Sequence, residues 1–455
     1  MAVWSQATLS GITVFDRCDG EYFLPAYIEN EKALARVETT PLPQMFFVSD
    51  GNHLSVSKHF SDDGDIPYFR GQDINDFFLE NASPIMIPEK VFSSSMMARS
   101  HFFAGDVLLS IVGTIGSLSI VPESLGSATG SCKIAILRSK GAYSPFVLAA
   151  FLLSRFGQLQ IRRNTRGAVQ MGLILKDLVR VHVPIFEEEE ASQIEQLVKQ
   201  AIKANTQSKT TYTQAQQLLE SELGLDKLRF DKPVGYTARF SELELSRRAD
   251  AEFFNPELRY FQQEIAKNHS LRPITDFVSI LKFSNPPYSE IGLPIITQKH
   301  LGKISPDNYG GDLVAHDAWV QANPLATIRN YDLLYYSVGA YLGKTNIWLS
   351  KDKAVHASFI TMLRPFDPEE AGFLHVLLNS KYGILQSKCF QSGTSQPYIY
   401  PKDIRRFLIP VVSKSLRRQI HELVIESFSK GEESKQLLEQ AKSWVEQLIE
   451  EAVQA

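Results

Sequence analysis

Six basic side chains, Arg155, Arg162, Arg163, Arg166, Lys176 and Arg180, stand within 26 residues of this chain against one acid, Asp177. Cations at that density can neutralise phosphates, and an arginine fork can pair two acceptors on one guanine edge. Gln170 adds the amide that pairs with adenine in the same bidentate geometry. A second set lies later in the chain: Lys344, Lys381, Lys388, Lys402, Arg405 and Arg406, with Gln396 among them. Charges of this kind are often only solvated or ion-paired. Lys176 beside Asp177 and Arg180, like Lys402 beside Asp403 and Arg406, also reads as the cap of a strand.

Two other motifs suggest enzyme chemistry. "SNPPY" (284–288) sets an amide next to an aromatic ring, a pairing that can hold a target amine while the ring stacks on a flipped base. A methyl transfer would also need a glycine-rich loop after a strand to hold S-adenosylmethionine, and none stands at a sensible distance upstream of Asn285. "GAYLGKT" (339–345) has three residues between its glycines where a phosphate-binding loop needs four, and "NIWLS" after it reads as strand rather than helix. The ten histidines show no metal-ligand spacing, and Cys18, Cys132 and Cys389 form neither a disulfide framework nor a C-x-x-C site. No metal and no cofactor are therefore expected in this chain.

What positions the basic clusters is a repeat. "TRGAVQMGLILKDLVRVHVP" (165–184) returns as "QSGTSQPYIYPKDIRRFLIP" (391–410), so that Gly167 falls on Gly393, Gln170 on Gln396, Lys176-Asp177 on Lys402-Asp403 and Pro184 on Pro410. The same shift carries Asp106 to Asp332, Val112-Gly113 to Val338-Gly339, Leu137-Arg138 to Leu363-Arg364, Ser154 to Ser380 and Gly157 to Gly383. Near each start "RCDGEYFLP" (17–25) matches "RADAEFFNP" (248–256). Each copy is domain-sized, far longer than a solenoid unit of ~20–50 residues. A protein written twice presents two similar surfaces to one partner.

Within each copy a segment rich in β-branched and aromatic residues precedes one long helix. The predicted strands include 106–113, 118–122, 132–138 and 179–184, with 332–339, 357–364 and 405–410 in the second copy; helices are predicted at 145–163 and near 369–386. Long helices are predicted at 187–223 and 413–452. The first carries the ladder Ile194, Val198, Ala201, Asn205, Ser208, Tyr212, Ala215, Leu219. The second carries Ile420, Val424, Ser427, Gly431, Ser434, Leu438, Ala441, Val445, Leu448, Ala452. These are heptad seams, and their small or polar middle (Asn205 and Ser208 against Gly431 and Ser434) is itself repeated. At ~1.5 Å per residue they make rods of roughly 50–60 Å. Packing of each helix on its own domain is one arrangement; antiparallel pairing about a pseudo-twofold is the one the repeat favours. The expected fold class is α+β, with two similar mixed domains at 1–186 and 227–411, a central helix at 187–226 and a C-terminal helix at 412–455.

Composition excludes some classes. The longest apolar run, "FVLAAFLL" (146–153), falls short of the ~18 residues a membrane span needs, and no signal peptide is expected at the start. A cytoplasmic protein is the expectation. The net charge of −4 gives no global sign of nucleic acid, so any basic surface must be local.

The order domain, long helix, related domain, related long helix resembles the specificity subunits of type I restriction–modification systems across nearly the whole length. "RCDGEYFLP", "RADAEFFNP", "GDVLLSIVGTIGSLSIV" (105–121) and "SGTSQPYIYPKDIRRFLIPVV" (392–412), the last followed by a heptad helix, carry the likeness. The helix starts depart from the family's "LPPLxEQ"-like form, reading "VPIFEEEEASQ" (183–193) and "IPVVSKSLRRQ" (409–419). The resemblance implies a non-catalytic subunit in which each target-recognition domain reads one half of a split double-stranded DNA sequence. It also implies that the helices set the gap and dock two methyltransferase subunits, which use S-adenosylmethionine, and that translocase–nuclease restriction subunits join the complex. The alternative is a self-sufficient adenine methyltransferase using Asn285 to Tyr288.

If the domains read different half-sites, residues common to both copies cannot supply the difference. They fit architecture or sequence-blind phosphate contact, and base discrimination belongs where the copies disagree. The disagreements are Arg162, Arg163 and Arg166 against Lys388, Phe390 and Ser392; Gly172 and Ile174 against Tyr398 and Tyr400; and "YFRGQD" (68–73) against "IITQKH" (295–300). The nominated DNA-binding residues are Arg70, Arg162, Arg163, Arg166, Gln170 and Lys176 in the first copy, with Lys299, Lys344, Lys388, Gln396, Tyr398 and Lys402 in the second.

Overall fold

The structure is a computed structural model that describes residues 6, 17, 19–167, 171–231, 233–301, 313–393 and 395–454. It divides into two compact units, Met1–Asn205 with Glu432–Ala455, and Thr206–Gly431. Unit 1 is built on a four-stranded antiparallel sheet in the order Phe46–Asp50, Ile134–Ser139, Val107–Ser110, Leu118–Ile120. Unit 2 repeats it as Val278–Leu281, Ile360–Pro365, Leu333–Tyr336, Thr345–Ile347. Successive side chains on a strand point to opposite faces. Thus Val107, Leu109 and Leu137 join one core while Leu108, Ile134 and Ile136 join another. Leu333, Tyr335 and Leu363 divide in the same way from Leu334, Ile360 and Met362. With both faces covered, these strands read as unbroken apolar runs.

Each sheet depends on one buried ion pair at the same place. Asp106 accepts two N–H bonds from Arg138 at 2.8 and 2.7 Å, and the same guanidinium reaches His101 O. In unit 2 Asp332 accepts from Arg364 at 2.9 and 2.8 Å, and that guanidinium reaches Thr327 O. Both carboxylates are 1% exposed, so removing either arginine strands a charge in the core.

The predicted helices at 145–163 and 369–386 are each two helices. They break at Ser154 and Ser380, giving Pro145–Leu153 with Arg155–Arg163, and Ala371–Asn379 with Lys381–Phe390. Periodicity alone missed the break because both halves are apolar on the core side. The serine hydroxyl donates to the carbonyl of the closing turn (Phe151 O or Leu377 O) and accepts the N–H of Gly157 or Gly383. The two glycines recur because the second helix starts directly against the first: a Cβ would stand 2.2 Å from Phe151 O at Gly157 and 2.4 Å from Leu377 O at Gly383.

The long helices run Glu188–Leu223 and Lys414–Gln454. Within unit 1, Ile194, Val198 and Ala201 pack with Ala441, Val445 and Ile449 in the cluster that holds Leu148 and Phe151. Within unit 2, Ala215, Leu219 and Leu223 pack with Ile420, Val424 and Phe428 in the cluster that holds Phe373 and Leu374. The segments run antiparallel, and each also covers its own domain, so both sequence-level arrangements hold together. One detail differs: the seam ends on Ile449 and leaves Leu448 half-buried, because its last step is four residues rather than three. The polar middle is used, not merely tolerated. Ser208 and Ser427 exchange hydroxyl-to-carbonyl bonds at 2.7 Å in unit 2, and Ser434 donates to Ala201 O at 2.7 Å in unit 1.

His375 is buried in unit 2, hydrogen-bonded with Tyr212, Thr345 and Asn379, and burial pushes its pKa down to about 3 from the usual 6.5. The unfolded chain takes up this proton below pH 6.5 and the folded chain does not. The stabilisation is therefore full above pH 6.5 and is lost as pH falls from 6.5 toward 3, by about 1.4 kcal/mol per pH unit. Urea unfolding of wild type and His375→Gln from pH 7 to 4 is expected to show a flatter pH dependence in the variant. Separately, Gly383→Ala is expected to cost about 1–3 kcal/mol in the same assay.

Candidate nucleic-acid interface

The basic cluster of each copy sits where a helix end, a turn and the strand that feeds the long helix meet. In unit 1 Arg166 and Gly172 exchange N–H to carbonyl bonds at 2.8 Å; in unit 2 Ser392 and Tyr398 do the same at 2.8 Å. Gly167 and Gly393 turn the chain at φ +118° and +90°, a region that disfavours side chains, which accounts for their recurrence. The turn docks beside the strand loop through Leu173 N–H to Ile111 O, and through Ile399 N–H to Ser337 O.

The motif near each start is a clamp on this turn. Arg17 forms a fork with Asp19 and donates to Thr165 O at 3.2 Å. Arg248 forms the same fork with Asp250 and donates to Phe390 O and Gln391 O. The arginine hydrogen bonds hold the carboxyls of Asp19 and Asp250 below the usual carboxylate range. Sequence reasoning used this motif as a family mark and did not see its mechanical role. Its signal was the strict recurrence of Arg and Asp two residues apart.

The nominated residues separate into two kinds. Arg70 is locked by Asp73, which accepts its Nε at 2.9 Å and Nη2 at 2.8 Å and raises its pKa. Arg163 lies on the Tyr22 ring, 4.4 Å from the centroid, and reaches Glu31 and Tyr22 O. Arg166 makes a fork with the buried Asp177 at 2.7 and 2.8 Å. These three serve structure through the bonds they make. Arg162, Lys176, Lys344, Lys388 and Lys402 are exposed and have no ion-pair partner among the described residues. Lys344 and Lys402 lie over the rings of Tyr341 and Tyr400. Lys299 and Gln396 are exposed, and Gln170 lies outside the described residues.

In unit 2 the turn borders a groove of about 1150 Å³ that brings Tyr398 and Lys402 together with Arg248, Asp250, Asp403 and Arg406. A smaller one of about 490 Å³ runs past Gly339, Lys381 and Lys388. Tyr398 and Tyr400 meet edge to face, with ring centroids 4.7 Å apart. Asn285 of the "SNPPY" segment lies on the surface, and its side-chain oxygen accepts the N–H of Ser358. Thr345 of "GAYLGKT" opens a strand antiparallel to Leu333–Tyr336, so the segment is the turn of a hairpin. Among the described residues no group of three or more His, Cys, Asp and Glu side chains is placed to hold a metal ion, and no helix is long and apolar enough to cross a membrane.

No family model and no curated protein match the chain. Among solved structures it is similar to the S subunit of the type I restriction–modification system from M. genitalium, at 13% identity over 91% of this chain and 96% of that one, with a TM-score of 0.46. It is also similar to the HsdS subunit from Thermoanaerobacter tengcongensis, at 15% identity over 90% of this chain and 95% of that one, with a TM-score of 0.29. A third similar chain belongs to a structure of complex assembly and conformational transition in a type I restriction–modification system, at 16% identity, 91% and 97% coverage and a TM-score of 0.30.

Asp177 is 1% exposed, so Arg166→Ala leaves a buried charge and is expected to cost about 3 kcal/mol. Ser392→Ala at the matching position of unit 2 is expected to stay within about 0.5 kcal/mol. Denaturant melts of the two variants check the contrast.

Proposed function

We propose that this chain is the DNA-recognition subunit of a type I restriction–modification assembly. It would be non-catalytic, with each domain reading one half of a bipartite double-stranded target. The observation that carries this reading is the repetition of whole units, each made of a sheet domain closed over an antiparallel pair of helix segments. A chain built in this way offers two similar readers and a shared rod. The helices would fix the gap between half-sites and dock two methyltransferase subunits that hold S-adenosylmethionine; a translocase–nuclease subunit would add restriction of unmodified DNA.

The free cations support sequence-blind contact, since phosphates position a protein and base edges specify it. Lys176 and Lys402 are common to the two copies, and Arg162 against Lys388 is a disagreement that changes the residue but keeps the charge. Each is expected to act on the DNA backbone. Arg163 and Arg166 stand where the copies differ, but they spend their donors inside the fold. Half-site discrimination therefore falls to other segments that differ, such as 68–73 against 295–300.

Co-expression with the cognate methyltransferase followed by genome-wide methylation mapping tests the reading. A bipartite motif with a fixed gap is expected; a continuous motif, or binding of S-adenosylmethionine by the isolated chain, overturns it. Exchange of residues 230–410 for the matching domain of a related subunit is expected to change one half of the motif only. Lys388→Ala is expected to lower the slope of log affinity against log salt by about 1 on any sequence, read by fluorescence anisotropy.

A further inference from the structure

Asp177 and Asp403 occupy the same point of the repeat and are neutralised differently. In unit 1 Asp177 takes two parallel N–H bonds from Arg166 at 2.7 and 2.8 Å, with Arg180 Nη1 at 3.5 Å. In unit 2 Ser392 replaces Arg166. Arg406, the counterpart of Arg180, lies instead over Phe253 and Phe390, 5.0 and 5.4 Å from their ring centroids. The bridges Arg166–Gly172 and Ser392–Tyr398 coincide in register, while Asp177 lies on the 3-10 helix Leu175–Arg180 and Asp403 on the short α-helix Pro401–Ile404. Asp403 is 7% exposed, yet among the described residues no hydrogen bond or ion pair reaches its carboxylate, which lines the groove of about 1150 Å³.

We propose that this groove is a receptor for a guanidinium group. An arginine side chain of a protein partner seats on Asp403 as Arg166 seats on Asp177. Unit 1 supplies the precedent: the carboxylate at the same point of the repeat pairs with a planar fork. Tyr398 and the half-exposed Tyr400 add aromatic surface of the kind on which guanidinium stacks. Cations that line the groove are engaged away from Asp403: Arg248 is held by Asp250, Arg406 lies on aromatic rings and Lys402 lies over Tyr400, and none of them forms an ion pair with Asp403 among the described residues.

Nucleic acid fits this particular point poorly. Phosphate is repelled by a carboxylate, and a duplex carries its base edges on the floor of a groove that a recessed group cannot enter. A long unbranched arginine can enter. Lysine makes a poorer guest, because its compact ammonium cannot give the two parallel bonds of a fork. The inference goes beyond DNA reading and does not depend on it.

Calorimetric titration of the full chain with N-acetyl-arginine methylamide, with the lysine analogue as control, tests it. The arginine probe is expected to bind at least about tenfold more tightly than the lysine probe. Asp403→Asn is expected to remove that preference. Ser392→Arg, which installs the unit 1 arrangement, is expected to abolish binding and raise the melting temperature, so that loss of fold is separated from occupancy of the site. Equal binding of the two probes, or unchanged binding in Ser392→Arg, overturns the proposal.

Discussion

A carboxylate taken out of water calls for a cation, and among the described residues this protein supplies one to each buried acid except Asp403. Removing one partner of a buried pair costs far more than the pair itself contributes, because the other charge is left stranded. Asp106 with Arg138 and Asp332 with Arg364 fix the middle of each sheet to the loop before it. Nearer the surface, Arg17 with the exposed Asp19 and Arg248 with the half-buried Asp250 fix the start of each copy to its basic turn. In each fork one arginine also serves a backbone carbonyl, so the ion pair carries chain geometry as well as charge. Both copies keep both members of these four pairs, whereas the Arg166–Asp177 pair has lost its arginine to Ser392 in the second copy. The pairs therefore remain visible as the matching positions of the repeat.

Much of the architecture was legible because it recurs. Shared Asp, Arg, Ser and Gly marked the sheet pair, the helix break and the tight turn, although what each did there was not. The break at Ser154 and Ser380 was hidden because helical spacing records which face is apolar and not whether the axis bends. The last step of the seam to Ile449 was hidden because Leu448 and Ile449 are equally apolar and only packing chooses between them. The site was less legible, for a simple reason. An arginine in a sequence shows its charge but not its partner. Arg70, Arg163 and Arg166 resemble Arg162 until a neighbouring carboxylate is placed beside them.

The boundaries of the compact units also depart from a linear reading. The central helix is cut between Asn205 and Thr206, and the C-terminal helix between Gly431 and Glu432. The cuts fall within the small and polar part of the seam, where apolar burial is weakest. Each unit consequently borrows a helix segment from the other copy: Leu219 and Leu223 belong to the same core as Phe373, and Val445 to the same core as Phe151. A domain transplanted between relatives must therefore bring an apolar face that fits helix segments it does not encode.

The serines of that weak stretch carry a consequence for register. Ser208 and Ser427 each place a hydroxyl on the other helix's carbonyl, and Ser434 does so on Ala201. Sliding one helix along the other would break these three bonds between the helices. The seam thus behaves as a ratchet with few permitted teeth. A change in the length of one helix alone between these serines would put the three bonds out of step.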